Sequence, residues 1–75
     1  MKELIEYIVK SIVSRPEEVK VTQEEQGNHI LLKLEVADDD KGKVIGRQGR
    51  VAQSIRSLLR VAAVKEGTRV VLEIV

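Results

Sequence analysis

Apolar residues recur in two rhythms along this 75-residue chain, and the change from one to the other marks out its elements. Between residues 2 and 13, Leu4, Ile5, Ile8, Val9, Ile12 and Val13 are spaced by one, three and four, which places them on one face of an amphipathic helix. Pro16 disfavours helical torsions in the residue before it, so this helix is predicted to end near Ser14. Val19 and Val21 then alternate with Lys20 and Thr22 as a short strand. Gly27 and Asn28, in the stretch "EEQGN", supply turn chemistry. Beyond the turn, Ile30, Leu32, Leu34 and Val36 alternate with His29, Leu31, Lys33 and Glu35, the most regular period-two run in the chain. The two strands are expected to form a hairpin.

Asp38, Asp39 and Asp40 stand where a helix can begin, since an aspartate caps free amides and negative charge suits the positive end of the helix dipole. That helix is short, with Gly46 as its expected terminator. A longer one starts near Gly49 and presents Val51, Ala52, Ile55, Leu58, Leu59, Ala62 and Ala63 to the core at helical spacings. Lys65 favours its C-terminal end and Gly67 is a suitable stop. The closing "TRVVLEIV" alternates Val70, Leu72 and Ile74 with Arg69, Val71 and Glu73, a last strand. The order α-β-β-α-α-β predicts an α+β fold over residues 1–75, a single domain in which one three-stranded sheet is packed against three helices.

Composition narrows this picture. At 75 residues the chain is close to the lower size at which one core supports a fold unaided. Cysteine is absent and His29 is the only histidine, so neither disulfides nor a thiolate or histidine metal cluster can contribute. Tyr7 is the only aromatic residue, so the core must be packed from branched aliphatic side chains. Glu3, Glu6 and Lys10 interrupt the N-terminal stretch, which excludes both a signal-peptide core and a membrane span there and makes the cytoplasm the expected compartment.

Charge changes the picture most. From Lys41 to Lys65 there are seven basic residues and no acid, so the remaining residues carry a net −6 in a chain whose total is +1. Segregation of this kind predicts one positive surface, the footprint of a polyanion binder. Within it lie Gly46 and Gly49, separated by Arg47 and Gln48, at the junction of the short and long helices. Glycine has no β-carbon, so a phosphate can approach the main chain closely. The head of the long helix adds unsatisfied amides and the positive end of a dipole. Arg47 and Arg50 add full charges, while Val44, Ile45, Val51 and Ile55 are candidates for an apolar floor under bases. Two other glycine loops are excluded. A Walker loop needs lysine and then serine or threonine after its last glycine, and the dinucleotide fingerprint needs G-x-G-x-x-G, which Gly42, Gly46 and Gly49 do not supply.

The stretch "GKVIGRQGRVAQSIRSLL" resembles the signature of the K-homology (KH) domain, whose G-x-x-G loop between two helices clamps the backbone of about four nucleotides. The element order is that of the type II version. Nearly the whole chain, through "PEEV" and "KEGTRVVLEIV", is similar to the small bacterial stand-alone KH proteins of the KhpA (YlqC-like) family. The resemblance implies single-stranded RNA as ligand and a role as RNA chaperone. It also implies a homodimer, or a heterodimer with a larger KH-containing protein of the Jag/KhpB type linked to cell elongation and division. Carried onto this sequence, the binding loop is Gly46-Arg47-Gln48-Gly49, preceded by Lys43, Val44 and Ile45 and followed by Arg50 and Val51. Lys43, Arg56 and Arg60 are expected to supply the wider positive field.

Other readings carry less. RNA-recognition sheets and most OB-folds stack bases on exposed rings, which a chain with one tyrosine cannot offer. Consecutive aspartates at a helix start point in different directions, so capping and charge balance are expected of Asp38–Asp40 rather than cation binding. His29 has no accompanying nucleophile, so neither an enzyme nor a cofactor is predicted. A protein-interaction module with auxiliary RNA binding stays open, because Leu31, Val71 and Val75 fall on the outward phase of their strands.

Overall fold

A computed structural model describes residues 2–75. Helix α1 spans Lys2–Ile12, and after a 3-10 turn at Pro16–Glu18 come strands β1 (Lys20–Gln26) and β2 (His29–Glu35). A second 3-10 turn, Asp38–Asp40, leads into α2 (Lys41–Ile45); a third, Arg47–Gly49, leads into α3 (Arg50–Lys65); β3 (Arg69–Ile74) closes the chain. The sheet has the order β1-β2-β3, antiparallel between β1 and β2 and parallel between β2 and β3. The two helices α2 and α3 make the crossover that a parallel pair requires.

All three helices sit on one face of the sheet, because a single core cluster joins Ile5 and Val9 of α1, Val44 of α2, and Ile55 and Leu59 of α3 to Val21, Leu32, Leu34 and Leu72 of the strands. Ile5, Leu32 and Leu34 are fully buried. Each such side chain contributes roughly 1.5–3 kcal/mol through burial, which is how a core without rings holds the fold. The opposite face of the sheet carries Thr22, Glu24, Lys33 and Glu73 to solvent or its margin.

Three expectations need correction. The first strand is longer than Val19–Thr22, running on through the polar residues Gln23–Gln26, which pair in register with Leu32–His29. Ladder hydrogen bonds and a tight turn hold these residues extended where side-chain pattern gives no signal. Leu58, assigned to the core by its spacing, is 54% exposed. Residues Val51, Ile55, Leu59 and Ala62–Ala63 already fill the arc of α3 that the sheet and α2 can cover, and Leu58 lies past its edge. Finally, no aspartate side chain caps α2 or the turn before it.

The end of α3 follows its sequence signals. The Gly67 amide donates to the Val64 carbonyl at 3.1 Å and the Thr68 amide to the Ala63 carbonyl at 3.0 Å, the paired bonds of a Schellman stop. The Arg69 amide then donates to the Asn28 carbonyl at 3.0 Å, fastening the start of β3 to the hairpin turn.

Candidate nucleic-acid interface

The loop is made by three departures from ordinary helical torsions within four residues. Gly46 ends α2 with φ 78° and ψ 174°. Gln48, with φ 58° and ψ 26°, and Gly49, with φ 72° and ψ 14°, are both left-handed. The two glycines are there for different reasons. A β-carbon on Gly46 would lie 2.4 Å from the Val51 side chain and 2.9 Å from the Val51 amide nitrogen. No L-residue fits there unless the head of α3 moves. A β-carbon on Gly49 would meet nothing within 4 Å. Its bareness therefore opens space on the outside of the loop rather than relieving a clash inside it. Gln48 holds a left-handed torsion with a side chain attached, at a strain of about 1–2 kcal/mol. Such strain is a recurrent mark of ligand-binding loops.

Arg47, Gln48 and Arg50 are exposed. Among the described residues, Arg47, Arg50 and Arg60 make no ion pair or side-chain hydrogen bond, and Arg56 makes only a long contact, 3.5 Å from its Nη2 to the Leu72 carbonyl. Arg47, Arg50 and Arg60 are consequently free to meet an external anion, and the head of α3 has no side-chain cap competing for it.

The lysines of the same basic run behave otherwise. Lys41 lies 3.3 Å from Asp38. Lys43, expected among the RNA-facing cations, turns back toward Asp40 at 3.7 Å and donates to the Ser14 hydroxyl. Asp40 itself is fully buried. One of its carboxylate oxygens accepts the Ser14 amide at 2.9 Å and the other the Arg15 amide at 3.0 Å. The Ser14 amide, then that of Arg15 and the charge on Lys43, hold the Asp40 carboxyl below the usual aspartate range despite its burial. Asp40 thus accepts the amides of the segment that leaves α1 instead of capping its own helix, and it clasps that segment to the start of α2.

The expected apolar floor is divided by the structure. Val44 is fully buried and Ile55 is 2% exposed, so both belong to the core and offer a base no surface. Ile45, 42% exposed, and Val51, half-buried, remain accessible beside the loop. An accessible depression lies along α3, where Arg56, Leu59 and Arg60 face Val70, Val71 and Leu72 of β3. It continues past Ala63 and Val64 to Thr68 and Arg69. Helical spacing had identified Arg56 and Arg60, but the β3 wall was missed. Only the strand order, which leaves β3 at the edge, opens that wall to solvent.

A mixed sheet with its helices in the order α-β-β-α-α-β, and a G-x-x-G turn joining the last two, is a type II KH fold. Residues 2–74 match the family model described as "KhpA/KhpB, KH domain". The chain is 52% identical to a protein of Clostridium acetobutylicum and 49% identical to one of Clostridium perfringens, in each case over the full length of both chains. It is 50% identical to one of Borreliella burgdorferi over 96% of this chain and 88% of the relative. All three relatives bear the name "RNA-binding protein KhpA". The chain belongs to the KhpA/KhpB family of KH domains. No solved structure matches it significantly.

Proposed function

We propose that this protein binds single-stranded RNA, with successive phosphates seated on the Gly46–Gly49 loop and the head of α3, and bases laid against Ile45, Val51 and the groove between α3 and β3. The observation that carries the reading is the open loop with two unpaired arginines, Arg47 and Arg50, beside it. The printed names of the relatives support the same ligand. Arg56 and Arg60 extend the positive field along the groove, and Lys43 acts mainly through Asp40. The domain does no covalent chemistry. It works in the cytoplasm as an RNA chaperone, and among the described residues no helix is long and apolar enough to cross a membrane.

The test is the salt dependence of binding to a short unstructured RNA. Neutralising two to four phosphates gives a slope of log affinity against log salt of about −1.4 to −3. An affinity indifferent to salt would overturn the reading.

Pairing is the second part of the proposal. Leu58, Val61 and Val64 are 54%, 58% and 72% exposed along the outer side of α3, a stripe larger than the sheet-face residues Val71 and Val75 provide. Ser54 and Ser57 flank it. Two copies can meet along this stripe, and pairing two weak single-domain sites raises avidity. The family description names both KhpA and KhpB, and a larger KH-containing protein of the KhpB type is the alternative mate we propose. Sedimentation of the protein should show a dimer that Leu58→Glu converts to monomer; a monomer at every concentration would sink this part alone.

A further inference from the structure

The open edge of β3 sets what the groove can read. Along a strand, main-chain N–H and C=O groups alternate sides. The amides of Arg69 and Val75 donate toward β2, to the Asn28 and Leu34 carbonyls at 3.0 and 2.9 Å. Odd-numbered residues of β3 therefore face β2, and Val70, Leu72 and Ile74 turn their main-chain groups out of the edge. Arg56 reaches across the groove to this edge, its Nη2 standing 3.5 Å from the Leu72 carbonyl oxygen. That contact covers the central outward acceptor with a cation. It leaves the remaining donors of the guanidinium fork beside the groove without a protein partner among the described residues.

The side chains around it are arginine and aliphatic apart from Thr68 at the far end. Arg56, Leu59 and Arg60 face aliphatic β3 residues, with Arg69 farther along, and the lining holds no aspartate, glutamate, asparagine or glutamine. An adenine edge places an amino donor between its ring acceptors and is read by asparagine or glutamine. A guanine edge offers adjacent O6 and N7 acceptors, which match the arginine fork.

We infer that Arg56 is a base-reading residue that selects guanine over adenine at one nucleotide of the bound RNA. This rests on the RNA-binding reading proposed above. The contact with Leu72 favours that choice, because it sets a cation beside the carbonyl that would otherwise accept an adenine amino group and holds the fork near the edge. Arg60, one turn later on α3 and unpaired, is left to hold the backbone.

The experiment uses the intact protein and a series of uridine-rich octamers in which a single guanine or a single adenine is moved through successive positions. Both bases are purines and the phosphate count is constant, so the change in the ratio of the two affinities on substituting Arg56 reports the base edge. At one position the guanine RNA is expected to bind about ten-fold tighter. Arg56→Gln, with its fold checked by its melting curve, is expected to abolish or invert that ratio, because an amide pairs with adenine. Equal affinities at every position, or an Arg56→Gln protein that weakens both RNAs by one factor, would overturn the inference and leave RNA binding standing. Failure of every octamer to bind would overturn both.

Discussion

At the N-terminal end of α2 each carboxylate of the Asp38–Asp40 run is matched, by Lys41, by Arg15, and by two amides with Lys43. Beyond Gly46, at the other end of the same five-residue helix, the arginines have no acidic partner among the described residues. The sequence shows one basic run from Lys41 to Lys65; the folded chain divides it into a closed part that fastens helices together and an open part that faces solvent. Net charge therefore overstates the binding surface. What counts is the charge left unpaired where the main chain is bare.

The difference is tested most severely at Asp40. Asp40→Ala removes the acceptor of two amides and leaves Lys43 without its partner. The melting temperature is expected to fall by more than about 8 °C. Asp40→Asn, which keeps a single acceptor oxygen, should fall in between. Because the folded-state value of this carboxyl is lowered, its contribution is complete above the ordinary aspartate value near 3.9 and is lost as pH falls through the lowered value. A thermal unfolding series from pH 7 to pH 2 should therefore show the wild type and Asp40→Ala converging only at the acid end. Convergence near neutrality would contradict the clasp.

The two glycines sharpen the comparison next. Gly46→Ala meets both the left-handed torsion and the Val51 main chain, and is expected to destabilise by at least about 2–3 kcal/mol in chemical denaturation. Gly49→Ala meets only the torsion, at about 1–2 kcal/mol. Its RNA affinity should nevertheless drop, since its new methyl occupies the outer space of the loop. Equal stability losses would remove the distinction drawn between them.

The smallest effects compare two cations only seven residues apart. Arg50→Ala is expected to weaken RNA binding about ten-fold by losing a charge-assisted phosphate contact. Lys43→Ala should change affinity less than about two-fold, its effect appearing instead as a lowered melting temperature. Titration of a labelled oligonucleotide separates the two outcomes, and a larger binding loss for Lys43→Ala would break the division of the basic run.

Much of this was legible before the fold was seen. Alternation in Ile30–Val36 and Val70–Ile74 and the helical spacing in Leu4–Val13 give strands and helices because each has a face to bury. The G-x-x-G junction locates the loop, since two glycines three apart stand between two helical patterns inside the one acid-free basic run. What escaped the sequence depends on long-range placement. Gln23–Gln26 are extended because of their partners in β2, and Asp40 looks like an ordinary N-cap until its carboxylate is seen holding amides 25 and 26 residues earlier in the chain. Spacing assigns Leu58 to the core because it reads one helix at a time and does not know how wide a face the neighbours cover. For the same reason Val44 and Ile55, apolar and close to the loop, suggest a surface for bases when they lie beneath it.

The most direct measurement is made on the paired change Arg47→Asp and Gln48→Asp, with RNA affinity and melting temperature recorded on the same preparation. Both side chains are exposed and make no ion pair or side-chain hydrogen bond among the described residues. RNA binding is expected to collapse by about a hundred-fold or more, from the loss of a phosphate-binding charge and the arrival of two like ones, while the melting temperature stays within about 3 °C of the parent. Retained RNA binding in that variant, or a loss of binding accompanied by unfolding, would contradict the claim that this loop is an open phosphate grip.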